Sequence, residues 1–317
     1  MVDSLQIRSA TRADTTQILD VMRTALGETP LLQRTPELFE WKHANSPFGP
    51  SIVLVAEAAG RIVGVRSLMR WELNSPDGSS YRCVRPVDTA THPEFARKGI
   101  FRRLTESALE VAREEGVNLV FNTPNPKSFA GYLTMGWHEV GWIGGYIRPR
   151  LGRAVPGDSE QLTTLAQGVP LATPYTPGNL VDRDPIGLRT PRTTRYLAWR
   201  FSQHPRARYG WISSSSGGGA VVRVSTRNGR SETVVSDLLG GGGVEAIRRV
   251  HRSSRARYVV TWFAPSTPEL SAAVSGGMFK VPGLKALRLI ALPLTQLDVD
   301  VTDLRSWDFA TSDIELL

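Results

Sequence analysis

Two stretches of this sequence gather residue types that could handle an activated, anionic cofactor. The first is Val87-Asp-Thr-Ala-Thr-His-Pro-Glu-Phe-Ala-Arg-Lys-Gly-Ile-Phe-Arg-Arg-Leu104. Strand-forming residues run into a short basic loop at Gly99, and a helical pattern begins at once. The start of a helix leaves backbone N–H groups without partners and turns the positive end of the helix dipole toward the loop, so such a junction attracts an anion. Gly99 lets the backbone approach closely, and Arg97, Lys98, Arg102 and Arg103 add positive charge. The chemistry this suits is a pyrophosphate cradle; the alternative is an ordinary turn with an exposed basic helix start. The second stretch is Phe121-Asn-Thr-Pro-Asn-Pro-Lys-Ser-Phe-Ala-Gly-Tyr-Leu-Thr-Met-Gly-Trp137. Asn125, Ser128 and Tyr132 recur at a spacing that predicts one helix face. The phenol of Tyr132 could protonate a departing thiolate, or the ring could simply pack in the core.

Both stretches need a frame to hold them. Residues 1–150 read as mixed α/β. Ile7-Arg-Ser-Ala predicts a short strand, and Thr11 with Asp14 a capping box. Ile18, Val21, Met22 and Ala25 follow at helical spacing up to Gly27. A second helix fits Pro36 to Ala44. Two strands, 52–57 and 61–69, meet at Ala59-Gly60 as a hairpin. A strand from Tyr81 through Thr91, a helix from Ile100 to Glu115, a strand at 117–122 and a helix from Ser128 to Met135 come next. Trp137 to Ile147 reads as a final strand pair. Residues 151–190 are rich in proline and glycine, the composition of a linker or of an irregular domain start, with one short helix possible from Ser159 to Gln167.

The chain has 317 residues, which predicts two domains; the break is placed at 150, giving 1–150 and 151–317. Hydrophobic residues make up 41% and charged residues 21%, an ordinary globular balance that excludes a wholly disordered protein. No apolar run suits a membrane span and no signal-peptide layout opens the chain, so a cytoplasmic protein without a membrane partner is expected. The single cysteine, Cys83, excludes internal disulfides and multi-cysteine metal sites; it reads as a small buried hydrophobe, and no metal is expected. The net charge is +8, and of 38 basic residues only five are lysines, leaving 33 arginines, whose planar fork suits phosphate.

The two halves also resemble each other. Trp41-Lys-His-Ala-Asn-Ser-Pro47 matches Trp199-Arg-Phe-Ser-Gln-His-Pro205, the turn at Gly60 meets Gly218, and Pro86-Val-Asp88 resembles Val235-Ser-Asp237. These matches predict a tandem duplication. Ala273 stands in the place of Tyr132, so the second copy is expected to be degenerate.

Taken together, the loop and the asparagine-to-tyrosine stretch resemble the GNAT superfamily of acyl-CoA-dependent N-acyltransferases, over about residues 5–147. The loop departs from the family signature at Ala96, where arginine or glutamine is usual, and at Phe101, where a second small residue is usual. The resemblance implies an α/β fold of two tandem GNAT-like domains, each a central mixed, mostly antiparallel sheet flanked by helices, with acetyl-CoA or another acyl-CoA as cofactor. It implies that Thr89 and Thr91 lie where strand backbone bonds the pantetheine arm and that Arg97, Lys98, Gly99, Ile100, Phe101 and Arg102 hold the pyrophosphate. Asn125 matches the cofactor-contacting asparagine, Ser128 shares its helix face, and Tyr132 matches the general acid. The position that often holds a basic glutamate falls on Arg85, which leaves Asp88 as the candidate general base, or as a structural residue shared with Asp237. His43 is a candidate for lining an acceptor pocket, His92 a loop residue, and Glu57 and Asn122 lie near strand ends.

The resemblance implies transfer of an acetyl or other short acyl group to a primary amine of a small molecule, an amino sugar (a nucleotide-linked one among the options) or another small-molecule amine, with nucleic acid not expected. The alternatives are a tandem-GNAT, aminoacyl-tRNA-dependent peptidyltransferase-like protein and a non-catalytic protein binding coenzyme A or a nucleotide.

Overall fold

The computed structural model of the chain describes residues 5–28, 33–150, 173–174, 182–227, 229–281, 284 and 286–314. The expected helix at Ser159–Gln167 lies outside the described residues. Contacts divide the chain into two units. One runs up to Leu73, resumes over Ser80–Glu139 and takes back Leu289–Thr302; the other holds Asn74–Ser79, Val140–Arg288 and the chain from Asp303 on.

The first unit is built on a seven-stranded sheet in the order β1-β2-β3-β4-β5-β14-β6. Its strands are β1 (Gln6–Ser9), β2 (Ile52–Ala58), β3 (Arg61–Asn74), β4 (Ser80–Thr91), β5 (Leu119–Asn122), β6 (His138–Ile143) and β14 (Leu287–Pro293). β-Branched and apolar residues dominate these runs, as a sheet covered on both faces requires. β4 and β5 run parallel, with Val84 opposite Val120, whereas β1–β2, β2–β3 and β5–β14 are antiparallel.

Helices cover both faces. α1 (Thr15–Leu26) follows the predicted Thr11/Asp14 capping box and stops at Gly27, where φ turns positive. α2 (Pro36–His43) starts at Thr35, whose hydroxyl accepts from the Leu38 N–H. Ile18, Val21 and Met22 of α1 pack with Val55, Ile62, Val65 and Ala90. On the other face lie α3 (Ile100–Glu114) and α4 (Pro126–Leu133), packed on Leu54, Ala56, Leu68 and Val84. α3 comes so close to β3 that a Cβ at Gly64 would stand 2.9 Å from Ile100 Cγ2; any side chain there would push α3 off the sheet.

The second unit has its own seven-stranded sheet, ordered β13-β7-β12-β11-β10-β9-β8. The strands are β7 (Tyr146–Pro149), β8 (Thr173–Pro174), β9 (Gly210–Ser213), β10 (Gly219–Arg227), β11 (Arg230–Leu239), β12 (Tyr258–Thr261) and β13 (Phe279–Lys280). β11 and β12 are parallel, as β4 and β5 are. Between them runs α5 (Gly243–Ser253), and α6 (Pro268–Ser275) follows β12, the order of α3 and α4 in the first unit. Trp199, in the π-turn Ala198–Ser202 before β9, is buried like Trp41 in α2 before β2. The repeat in the sequence is thus a repeat of structure.

Two expectations are corrected. Trp137 to Ile147 is not a strand pair: β6 ends the first sheet, and β7 enters the second between β12 and β13. Nor do the units separate at residue 150. β5 and β12 are short and almost wholly buried, so each needs a strand on both sides to satisfy its backbone groups. β5 finds its second neighbour in β14, from the far end of the chain, and β12 finds it in β7. Each sheet therefore contains one strand from the other half of the sequence.

No helix among the described residues is long and apolar enough to cross a membrane.

Candidate active site

The two stretches with chemical promise converge on one face of the first sheet. β4 ends at Thr91, a short turn over Pro93–Phe95 follows, and the loop then tightens through Arg97 and Gly99, both with left-handed backbone (φ +61° and +74°). Gly99 is the residue before α3, and a Cβ there would meet nothing within 4 Å, so its backbone conformation alone calls for glycine. Arg97, Lys98 and Arg102 are exposed; Lys98 lies 4.6 Å from the centre of the Phe95 ring, and Arg102 pairs with Glu106 at 2.7 Å. Ile100 turns inward against Gly64. Its neighbour Phe101 spans toward α4, its ring 3.3 Å from where a Gly131 Cβ would stand and edge-on to Tyr132 at 5.5 Å. The side chain at the departure from the family pattern thus bridges the start of α3 and the last turn of α4.

Tyr132 is 3% exposed, and its hydroxyl accepts a 2.8 Å hydrogen bond from Arg66 Nη1. The same nitrogen donates to the Thr89 hydroxyl at 3.0 Å, so one guanidinium ties α4 to the far end of β4. Sequence reasoning missed Arg66. The available signal was a charge at an inward position of an apolar strand, in step with Gly64 and Leu68. Asn125 and Ser128 differ from expectation. Asn125 is not on a helix face with Tyr132; it caps α4, its Oδ1 accepting from the N–H groups of Lys127 and Ser128, and the Ser128 hydroxyl turns back to the Asn125 carbonyl. The Asn-Pro sequence does this because asparagine caps well and proline fits the first helical position.

Asp88 occupies the opposite side of β4. Its carboxylate faces Lys42 Nζ at 2.8 Å, His43 Nε2 at 3.0 Å and Arg34 Nη1 at 3.4 Å, and its side chain is 11% exposed. Burial pushes the carboxyl up, but Lys42 and His43 outweigh it and hold it well below the usual carboxylate range. His43 is buried and pushed below its ordinary value by that burial. A neutral imidazole facing a carboxylate carries its proton on Nε2, and Nδ1 then accepts from Ser51 Oγ, 2.9 Å away. A carboxylate so stabilised is a weak proton acceptor. Asp88 therefore fits the role of an ion-pair hub joining α2 to β4 and not that of the general base. His43 belongs to the same hub.

The remaining candidates sit elsewhere. Glu57 pairs with Arg8 at 2.8 Å, and His92 opens the turn after β4, 2.8 Å from Arg61. Asn122 is buried at the end of β5. Cys83 is 1% exposed, its thiol donating to the Tyr81 carbonyl and pushed well up by burial, which makes it inert. Among the described residues no group of His, Cys, Asp and Glu is placed to hold a metal ion.

The second unit keeps the frame and changes the side chains. Ala273 of α6 takes the bond from Met278 N–H that Tyr132 takes from Trp137 N–H, which makes the two positions equivalent. Asp237, four residues beyond the Thr233–Val259 register pair as Asp88 is beyond Val84–Val120, is fully buried. It meets Arg192 at 2.8 Å, and burial pushes it up to about 6.

Comparison with known proteins agrees with this geometry. Residues 6–140 match the family model described as acetyltransferase (GNAT) domain. No curated protein sequence matches the chain. Among solved structures, a probable N-acyltransferase of unknown function from Enterococcus faecalis V583 is similar at 14% identity and a TM-score of 0.60, over 92% of this chain and 73% of that one. A GCN5-related N-acetyltransferase from Kribbella flavida is similar at 14% identity and a TM-score of 0.58, over 92% and 72%. A tandem GNAT protein from the clavulanic acid biosynthesis pathway is similar at 15% identity and a TM-score of 0.51, over 93% of this chain and 100% of that one. At these identities the likeness is one of fold.

Proposed function

Because residues 6–140 carry a GNAT acetyltransferase domain, we propose that this chain transfers an acetyl or other short acyl group from coenzyme A to a primary amine of a small molecule. The observation that carries the proposal is the Arg66 bridge, which brings the Tyr132 hydroxyl and the Thr89 hydroxyl to one point. The candidate general acid thus stands beside the strand that would seat the thioester. Arg66 donates to the phenol oxygen, so the phenol's own proton is free to pass to the leaving thiolate. The left-handed Gly99 loop and the start of α3 would hold the pyrophosphate, with Arg97 and Lys98 adding charge. Direct attack by the amine on the bound thioester needs no acyl-enzyme, and its rate would come from holding both substrates together. A nucleotide-linked amino sugar is the first acceptor class to screen.

Calorimetric titration with acetyl-CoA tests the reading. Wild type should bind saturably, Gly99→Ala should bind more weakly through backbone strain alone, and Gly99→Glu should lose binding because its carboxylate repels the pyrophosphate. Failure of wild type to bind acetyl-CoA or longer acyl-CoAs sinks the proposal. In the same titration Phe101→Ala, which removes the ring between α3 and α4, is expected to raise the affinity.

A further inference from the structure

Arg66 has more capacity than the bridge uses. It is wholly buried, and only Nη1 is engaged; Nε and Nη2 have no hydrogen-bond partner. No carboxylate among the described residues pairs with it. Of the other buried arginines, Arg34, Arg189 and Arg192 each meet at least one carboxylate, and Arg200 donates to the Tyr209 hydroxyl and the Ser312 carbonyl. An unpaired buried cation is costly, and an unsatisfied buried donor in a folded protein calls for an explanation such as a missing ligand.

The two idle nitrogens are informative because they lie along one edge of the guanidinium. Nε and Nη2 form the side-on fork that takes both oxygens of a carboxylate. Among the described residues that edge takes a carboxylate four times: Arg183 with Glu269, Arg189 with Asp182, Arg227 with Glu232 and Arg305 with Asp303. In Arg66 the same edge is empty. Two of its neighbours, Thr89 and Phe101, are only half-buried, so the guanidinium lies one side chain below the surface. The Tyr132 ring lies 5.3 Å from the guanidinium carbon.

We propose that the Nε/Nη2 edge of Arg66 binds a carboxylate carried by the substrate, so that this acyltransferase handles an acidic substrate beside Tyr132. The inference rests on the acyl-CoA reading above. An anion that forms only transiently, such as the leaving thiolate, would leave the guanidinium unpaired through most of the cycle, whereas a substrate carboxylate pairs with it from binding to release. The carboxylate has two possible sources. One is a dicarboxylic acyl group, as in malonyl- or succinyl-CoA; the other is an amino-acid-like acceptor.

Titrations with butyryl-CoA and succinyl-CoA, which differ mainly in the terminal carboxylate, address the first source. Titrations of the acetyl-CoA-loaded protein with α-, β- and γ-amino acids against their amides address the second. Wild type should favour the carboxylate in one arm by about 10–100-fold, the range for hydrogen bonds to a charged group. Arg66→Met, a long apolar replacement for a buried charge, should fold and lose that preference. Arg66→Lys keeps the charge without the fork and should retain only part of it; it also carries the test if the methionine variant does not fold. If wild type binds acetyl-CoA and shows no carboxylate preference in either arm, or if Arg66→Met keeps the preference, the inference is overturned while the acyl-CoA reading stands. Binding of no CoA thioester by wild type overturns both.

Discussion

Asp88→Ala is expected to destabilise the first unit by about 3–5 kcal/mol, the range for removing one partner of a buried ion pair. The loss is large because alanine leaves Lys42 and Arg34, both nearly inaccessible, facing each other without the carboxylate between them. Denaturant unfolding measures it. The pH dependence carries a second signature. The native Asp88 carboxyl is held below its unfolded value, so its stabilisation is complete above about pH 4 and fades as the pH falls further. Stability of Asp88→Ala should therefore decline less steeply in acid than that of wild type. Some acid sensitivity should remain, because the hydrogen bonds from Arg8 hold Asp14 below its ordinary value as well. If Asp88 were the general base, Asp88→Asn would abolish the acidic limb of the pH–rate profile, where protonation of the base shuts the reaction off. The hub predicts instead that this variant, which keeps an oxygen toward Lys42, leaves the profile's shape unchanged.

Tyr132→Phe should lower turnover by roughly 10²–10⁴-fold, the usual worth of a positioned general acid, while the affinity for acetyl-CoA is kept. The phenylalanine ring preserves the contacts with Phe101 and Trp137, and Arg66 keeps its bond to Thr89, so the variant should lose only about 1 kcal/mol of stability. Steady-state kinetics beside a binding titration separate the two effects. Wild-type turnover in this variant would remove Tyr132 from the chemistry and leave it as a core aromatic.

Much of the frame was readable because it is local. Capping at Thr11, the proline after Thr35, the helix after Gly99 and the Ala59-Gly60 hairpin each depend on neighbours within a few residues, and each forms where the pattern placed it. The duplication was readable through two tryptophans and a turn. What the sequence hid was long-range. Whether Asp88 is a base or a hub depends on Arg34, Lys42 and His43, and these side chains lie 45 or more positions away. Asn125 was misplaced by one position: as a cap it precedes the helix whose face it was expected to share. Arg66 was given no role because its place on the inward face of the strand depends on the register of the whole sheet.

The crossed strands set a timetable for synthesis. β5 is made early, yet the neighbour that completes its side of the first sheet is β14, where Ala291 faces Phe121 across 170 positions of chain. Through most of translation the buried edge of β5 must wait uncovered while nearly the whole second half is being made. Loop closure over such a separation slows folding, and an exposed apolar edge is the form in which a nascent chain meets chaperones or its own copies. The residues that would do the chemistry stand on the early part of the chain, but the sheet that holds them is finished only when the ribosome has passed Pro293.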